Sequence, residues 1–397
     1  MKVTSYLSPF NEHPDVVAQL HFSKNLSLCD CTLRDGEQQA GVVFTKEDKV
    51  AIAVKLDQMG IPEIEAGMPT NSQEDEEAVI EIVKRCKKSK ITALVRAKEE
   101  DVDFVAAHGV WGATLSLPVG DLQRKHKLKW DDDTYIANMR KFTEYAKKKG
   151  LYVNLSPYDT TRANPVFLER LLKEVIACGT VDRIRLVDTV GSASPEAIGY
   201  MVSFMKGILG DKVALEIHCH DDFGLGAAST IKGAACGADV LSTTINGLGE
   251  RAGNTATEEV LVALKLLYGV DLGVDLTQLC EVSEMVERLG NAPLQKHKAV
   301  VGKHAFSHET GMTVAGILEE PFVAEAYAPE LVGQKREILI GKKSGVKSIQ
   351  AKLKARGIDL SEEKGRDLLT DVKNKAVELK RSLSDEEFFA LAGQYTL

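Results

Sequence analysis

The sequence predicts an α/β fold, a (β/α)8 TIM barrel with an appended, mostly helical C-terminal segment. Three observations carry this prediction. Short apolar runs of strand length alternate with longer stretches of helical periodicity from about residue 25 to residue 270. Eight such strand–helix steps can be counted, the number that closes a barrel. The turn after the first strand, Cys31-Thr32-Leu33-Arg34-Asp35-Gly36, lacks the Gly-x-Gly-x-x-Gly pattern usual in an open doubly wound sheet.

In chain order, residues 1–24 contain Pro9 and Pro14 without strong periodicity and read as an N-terminal arm. Residues 25–290 hold the barrel. Its strands are predicted at Leu26–Cys31, Glu63–Ala66, Ile91–Val95, Gly112–Leu117, Tyr152–Leu155, Arg183–Val187, Val213–His218 and Val240–Ile245. Between them lie Lys46–Met59, Glu74–Lys87, Thr134–Lys149, Pro165–Cys178, Pro195–Leu209 and Gly226–Cys236. Their apolar residues recur at three-to-four spacing, as in Val50, Ala53, Val54 and Leu56. Residues 291–397 form a C-terminal subdomain. It begins rich in turns, with Pro293, Pro321 and Pro329, and reads as helical over 346–357 and 361–383. No internal repeat or low-complexity segment is visible.

A chain of 397 residues suits a large barrel with an extension, and 44% hydrophobic with 27% charged residues suits a globular core. The net charge of −8 argues against nonspecific nucleic-acid binding. No apolar run is long enough to span a bilayer, and the N-terminus has no signal core, so a cytoplasmic location is expected. The seven cysteines are scattered without Cys-x-x-Cys spacing, which predicts buried free thiols in a reducing compartment and no zinc–cysteine site.

The most informative stretch is His218-Cys219-His220-Asp221-Asp222-Phe223-Gly224. Side chains alternate along a strand, so His218 and His220 share a face at a strand end while Cys219 points away. Two imidazoles there offer nitrogens to one divalent metal, although ordinary loop histidines would read the same. Reactive residues recur at other strand ends, where barrel active sites gather: Arg34, Asp35 and Gln38, then Glu65, Arg96, Asp188 and Thr189, then Gly247–Asn254. Singly, Asp35-Gly36 reads as a turn, Arg34 as a surface cation and Glu65 as half of a core ion pair. Charged residues at most strand ends are hard to explain by packing alone.

Asp30-Cys31-Thr32-Leu33-Arg34-Asp35-Gly36-Glu37-Gln38, the His218–Gly224 stretch and Asn246-Gly247-Leu248-Gly249-Glu250-Arg251-Ala252-Gly253-Asn254 resemble, in order, the signatures of the 2-isopropylmalate, homocitrate and citramalate synthase family. The resemblance covers roughly residues 25–350. It implies a Claisen-type condensation in which the methyl carbon of acetyl-CoA, the co-substrate, attacks the keto carbon of a 2-oxo acid. It implies a divalent metal (Mg, Mn or Zn) held by Asp35, His218, His220 and Asn254. Chelated by the oxo acid, this metal would act as a Lewis acid. By the same resemblance Arg34 meets the developing oxyanion, and Glu65 organises a proton network. Arg96, Thr189 and Tyr158 lie about the oxo acid, and Gln38, Gly249 and Gly253 approach the thioester and coenzyme. His308, in Ala305-Phe306-Ser307-His308-Glu309-Thr310-Gly311, matches the catalytic base. A homodimer is implied, the C-terminal segment of one subunit completing its partner's site.

Two departures stand out. Thr313 replaces the histidine that usually follows in the His308 motif. Tyr158, in Ser156-Pro157-Tyr158-Asp159, replaces the first member of a usual Glu-Asp pair, putting a phenol where relatives carry a carboxylate. Both point to an unusual oxo acid or a changed proton path. The long regulatory domain of leucine-pathway enzymes does not follow, so leucine feedback of that type is not expected. The main alternative is a metal-dependent carbon–carbon lyase of the same superfamily. Residues 291–397 favour the synthase, because such lyases tend to stop soon after the barrel. A catalytically dead scaffold is disfavoured by the filled ligand and arginine positions.

Overall fold

In the computed structural model, which describes residues 4–395, eight parallel strands close into a barrel in chain order. They are β1 (Ser27–Asp30), β2 (Glu63–Glu65), β3 (Lys90–Val95), β4 (Gly112–Pro118), β5 (Tyr152–Tyr158), β6 (Arg183–Asp188), β7 (Ala214–Cys219) and β8 (Val240–Thr243). Pairing of β1 with β8, Ser27 opposite Val240 and Asp30 opposite Thr243, closes the ring. The strands match the predicted ones in number, order and place. β5 runs past its expected end at Leu155 because it stays in register with β4 as far as Pro118 opposite Tyr158. That extension carries Tyr158 to the C-terminal mouth.

Six predicted helices form: α1 (Lys46–Met59), α2 (Gln73–Arg85), then, after α3 (Glu99–Ala107), α4 (Asp132–Lys148), α5 (Pro165–Cys178), α6 (Pro195–Leu209) and α7 (Gly226–Ala235). Side-chain caps explain the starts of all six but α7. Thr45 and Asp48 form a reciprocal capping box at α1, and Gly60 ends that helix in the left-handed region (φ 87°). Several helices escaped the periodicity, Leu279–Leu289 among them. α3 is short and buries only Val102 and Val105 among its apolar residues; α8 (Thr257–Leu267) buries Val260, Leu261, Val262 and Leu264 nearly in a row. Neither displays a clean 3.6-residue stripe.

The barrel interior is charged. Arg183 and Arg185 of β6 face Glu63 and Glu65 of β2 and Glu216 of β7, all nine-tenths buried or more. Arg183 donates to both Glu63 oxygens (Nη1–Oε2 2.9 Å, Nη2–Oε1 2.5 Å). Arg185 Nη2 lies 2.5 Å from Glu65 Oε2 and 2.8 Å from Glu216 Oε1. The apolar core instead fills the layer between strands and helices, with Ile52, Leu56, Ile82, Leu171, Val202 and Val260 fully buried. All seven cysteines are free thiols; five are buried, while Cys178 and Cys236, at helix ends, are only partly covered.

The described chain divides into two compact units, residues 9–293 and residues 4–8 with 294–395. The expected arm is therefore split. Residues 4–8 associate with the C-terminal segment, where Tyr6 N–H donates to Ala326 O (2.9 Å) and Ala328 N–H to Thr4 O (2.9 Å). Residues further on belong with the barrel, as where His21 N–H donates to Ala235 O (2.7 Å). Besides helices, the C-terminal unit holds a two-stranded parallel sheet of β9 (Ser307–His308) and β10 (Glu337–Ile338). Its own core includes Ile349, Leu353, Leu368, Val372 and Phe388.

Candidate active site

At the end of β1 the chain folds back on itself. The N–H groups of Arg34, Asp35 and Gly36 all converge on Cys31 O (3.1, 2.8 and 3.1 Å), which sets Arg34 and Asp35 at the mouth. β7 delivers His218, and His220 follows it, bridged to Asn254 of the loop after β8. Asp35 Oδ2 lies 3.5 Å from His218 Nε2 and 3.6 Å from His220 Nε2, and accepts from Asn254 Nδ2 at 2.5 Å. The ligand atoms of Asp35, His218 and His220 all fall within 4.8 Å of one another.

These residues fit a divalent cation. Asn254 Oδ1 is buried with no hydrogen-bond donor, an orphaned acceptor that a cation would satisfy. His218 Nδ1 is 2.7 Å from Ser242 Oγ, which fixes the ring and leaves Nε2 towards Asp35. Burial and the neighbouring His218 push the His220 imidazole down to about 4, so it is neutral at pH 7, the form that ligates metals. Burial alone would raise Asp35, but the Arg34 guanidinium beside it holds its carboxyl well below the usual range. A carboxylate, two imidazoles and an amide oxygen suit Mg, Mn or Zn. Among the described residues, Cys29, Cys31 and Glu65 form the other cluster of potential ligands. There, however, Glu65 is already engaged by two arginines.

A cavity of about 380 Å³ opens on this cluster. Arg34, Asp35, Gln38, Tyr158, Thr189, His218 and His220 line it, as predicted, together with Ser116, Gln123, Lys127, Ser156 and Arg251. Thr189 Oγ accepts from Asp159 N–H (2.7 Å), so its own proton is free to donate into the cavity. Gln38 and Arg34 also line an adjoining cavity of about 330 Å³. Glu65 sits behind Arg34, fully buried, accepting from Arg34 Nε (2.7 Å). Burial would raise its carboxyl, but Arg185 and Arg34 bring it down to about 2.

Other expected residues lie elsewhere. Arg96 does not line the cavity; its guanidinium grips Asp101 with two hydrogen bonds (2.8 and 2.9 Å). Gly249 (φ 159°) and Gly253 (φ 98°) shape the loop around Asn254 instead of lining the cavity. A Cβ on Gly249 would meet Asn254 Nδ2 at 2.2 Å, and one on Gly253 would meet Gly247 O at 2.1 Å. His308 belongs to the C-terminal unit, where its Nε2 lies 3.1 Å from Glu325 Oε1. Glu325 is in turn held by Arg336 through two bonds (2.6 and 2.5 Å). Sequence reasoning missed Glu325, Ser242 and Lys127. It also missed a role for Arg251, which clamps Asp222 (2.9 and 3.0 Å) and Thr189 O (2.7 Å).

Fold and site together define a class, a (β/α)8 barrel enzyme with a carboxylate–imidazole pocket suited to a divalent metal. Residues 25–286 match the HMGL-like family, and residues 300–380 match the homocitrate synthase post-HMGL domain-like family. Homocitrate synthase AksA of Methanothermobacter thermautotrophicus is 37% identical over 97% of each chain. 2-Isopropylmalate synthase 2 of Caldanaerobacter subterraneus is 40% identical over 93% of this chain and 95% of its own. The chain belongs to this family of acetyl-CoA-dependent condensing acyltransferases, which is metal-dependent. A hydroxymethylglutaryl-CoA lyase from Acinetobacter baumannii superposes with a TM-score of 0.62 at 22% identity. It covers 70% of this chain and 96% of its own, a likeness of fold alone.

Proposed function

We propose that the protein condenses acetyl-CoA with a 2-oxo acid, forming a 2-hydroxy (alkyl)malate-type product and releasing CoA. The observation that carries this reading is the convergence of Asp35, His218 and His220 beside Arg34, at the mouth of a barrel whose sequence relatives are condensing synthases. Asp35, His218, His220 and Asn254 would hold Mg, Mn or Zn, and the bound cation would supply Lewis-acid polarisation of the keto group. Arg34 contributes a fixed positive charge where the keto oxygen gains electrons. Glu65, gripping Arg34 Nε and Arg185, holds that guanidinium in place. Thr189 donates its hydroxyl proton to the oxo-acid carboxylate. The site's Gln38, shared between two cavities, stands where thioester and oxo acid would meet. Arg96 is assigned to the turn into α3, because Asp101 engages its Nε–Nη2 edge.

His308 is proposed as the base that removes the acetyl methyl proton. Its support is the Glu325 carboxylate at 3.1 Å, which orients the imidazole. The family resemblance supports a homodimer in which this segment serves the partner's site. The free thiols support a reducing cytoplasmic setting, and no helix of the described residues is long and apolar enough to cross a membrane.

The test is release of free CoA thiol from acetyl-CoA with 2-oxoglutarate, 2-oxoisovalerate, pyruvate, oxaloacetate and glyoxylate, with and without added metal. Metal-dependent release with at least one acid is expected. Release with none of them, alongside cleavage of a hydroxyacyl-CoA, would overturn the proposal.

A further inference from the structure

Cys31 takes no part in the reaction as described, and Ser242 enters it only as a contact of His218. β8 lies between β7 and β1, and its register sets Ser242 opposite both His218 and Cys29. Cys31 follows Cys29 at the period of two that returns a side chain to the same face. Ser242 Oγ therefore reaches both neighbours, 2.7 Å from His218 Nδ1 and 3.0 Å from Cys31 Sγ. Cys31 Sγ lies in turn 3.4 Å from Glu65 Oε2. All four residues are at most 2% exposed.

The protons along this line are assigned from one end. Glu65 accepts from Arg34 Nε at 2.7 Å and from Arg185 Nη2 at 2.5 Å, so its carboxylate is ionised and can only accept. Cys31 has one proton, and that carboxylate is its best acceptor; Cys29 Sγ, 3.9 Å away, is a weak one. Cys31 Sγ is then left to accept from Ser242. Ser242 Oγ, its one proton directed at the sulfur, must itself accept from His218. The nitrogen that donates, Nδ1, carries hydrogen, so the lone pair of the neutral imidazole sits on Nε2, which faces Asp35 Oδ2 at 3.5 Å. An ionised carboxylate three hydrogen bonds away thereby sets the tautomer that a metal-holding histidine needs.

We infer that Ser242 and Cys31 are positioning residues that carry the acceptor strength of Glu65 to His218, so that one buried carboxylate holds both the Arg34 guanidinium and the Nε2 lone pair in place. Histidine ligands commonly donate their second nitrogen straight to a carboxylate or a carbonyl. Here two neutral side chains stand between, and each is fully engaged on both sides, which keeps a buried polar line rigid. The line also gives Cys31 and Glu65 a use that involves no second ion. The inference rests on the condensation reading, with Asp35, His218, His220 and Asn254 around the cation, and adds to it what sets the affinity of that site.

The experiment measures the dissociation constant of Mn2+ for the metal-stripped full chain by equilibrium dialysis, beside kcat and KM for thiol release at rising Mn2+. Ser242→Ala should weaken Mn2+ binding about 10–100-fold, the usual loss when the outer partner of a histidine ligand is removed. Cys31→Ala, one link further out, should weaken it on the order of 10-fold. Cys31→Ser keeps a donor and an acceptor and should bind close to the native chain. Excess Mn2+ should restore kcat in both alanine variants with KM for acetyl-CoA unchanged, a rescue that damage to the fold would not allow. Native affinity in Cys31→Ala, or in the space-filling Cys31→Val where the alanine variant does not fold, would overturn the inference and leave the condensation reading standing. So would a folded Cys31→Ser variant as weak as Cys31→Ala. Mn2+ binding that His220→Ala leaves unchanged would overturn the metal assignment and the inference with it.

Discussion

Replacing Arg185 by Met tests whether the charged interior of the barrel is balanced as the structure implies. Arg185 is 1% exposed and contacts Glu65 Oε2 at 2.5 Å and Glu216 Oε1 at 2.8 Å. Without it, Glu65 keeps Arg34, and Glu216 keeps Arg183 Nε at 3.0 Å and Asn154 Nδ2 at 2.7 Å. Three carboxylates, Glu63, Glu65 and Glu216, then share Arg183 and an Arg34 already committed to Asp35. Breaking a buried pair by removing one partner costs about 3–5 kcal/mol, because the remaining charge stays desolvated. For a domain of this size each kcal/mol moves the melting temperature by about 2 °C, so a fall of roughly 8 °C is expected by scanning calorimetry. Adding Glu216→Gln to Arg185→Met should recover more than half of that fall, since it removes the stranded charge. A single-variant shift under about 2 °C, or a double variant no better than the single one, would refute the reasoning.

Four further outcomes follow from the site and its supports. His220→Ala should lose both bound metal, measured by elemental analysis, and thiol release; full turnover in chelator would exclude the metal assignment. His308→Ala should slow turnover while metal content stays unchanged, and undiminished turnover would remove it as the base. Gly253→Ala forces a Cβ to 2.1 Å from Gly247 O at a φ of 98°. It should cost about 2–4 kcal/mol by denaturant melts and weaken metal retention through Asn254. Burial alone would raise the Asp57 carboxyl, but the N–H groups of Ser89, Lys88 and Lys87 donate to it and hold its pKa below the ordinary value. A depressed folded value means the unfolded chain binds the proton more readily. The stabilisation is then full above about pH 4 and lost as pH falls through the folded value. The melting-temperature gap between the native chain and Asp57→Asn should therefore narrow as pH drops from 6 to 3.

The barrel was legible because its signals are local. Each strand is a short apolar run between turn residues, and most of the predicted barrel helices start at a side-chain cap, as at Ser72, Asp131, Asn164 and Ser194. The convergence on one cavity was legible where the determinant is a residue type at a strand end, as with Asp35, His218, His220 and Thr189. It was not legible where two residues compete for a third. Arg96 stands at the end of β3 as an oxo-acid ligand should, yet Asp101 in the first turn of α3 is near enough to hold its Nε–Nη2 edge. Gly249 and Gly253 read as backbone made to approach a ligand, but the atoms they approach belong to their own loop.

Glu65 shows where this boundary falls. Its period-two partner Glu63 on β2, and Arg183 with Arg185 on β6, could be read from sequence as two inward-facing like-charged pairs. What alternation cannot give is which strands face each other across the barrel, and those pairs lie 120 residues apart. Once β2, β6 and β7 are placed, the charges explain one another. Glu65 joins the two systems, accepting from Arg185 in the interior and from Arg34 at the mouth. A residue that reads as either half a core ion pair or part of a site is a core ion pair that also supports the candidate site, because the same carboxylate that pairs inside the barrel holds Arg34.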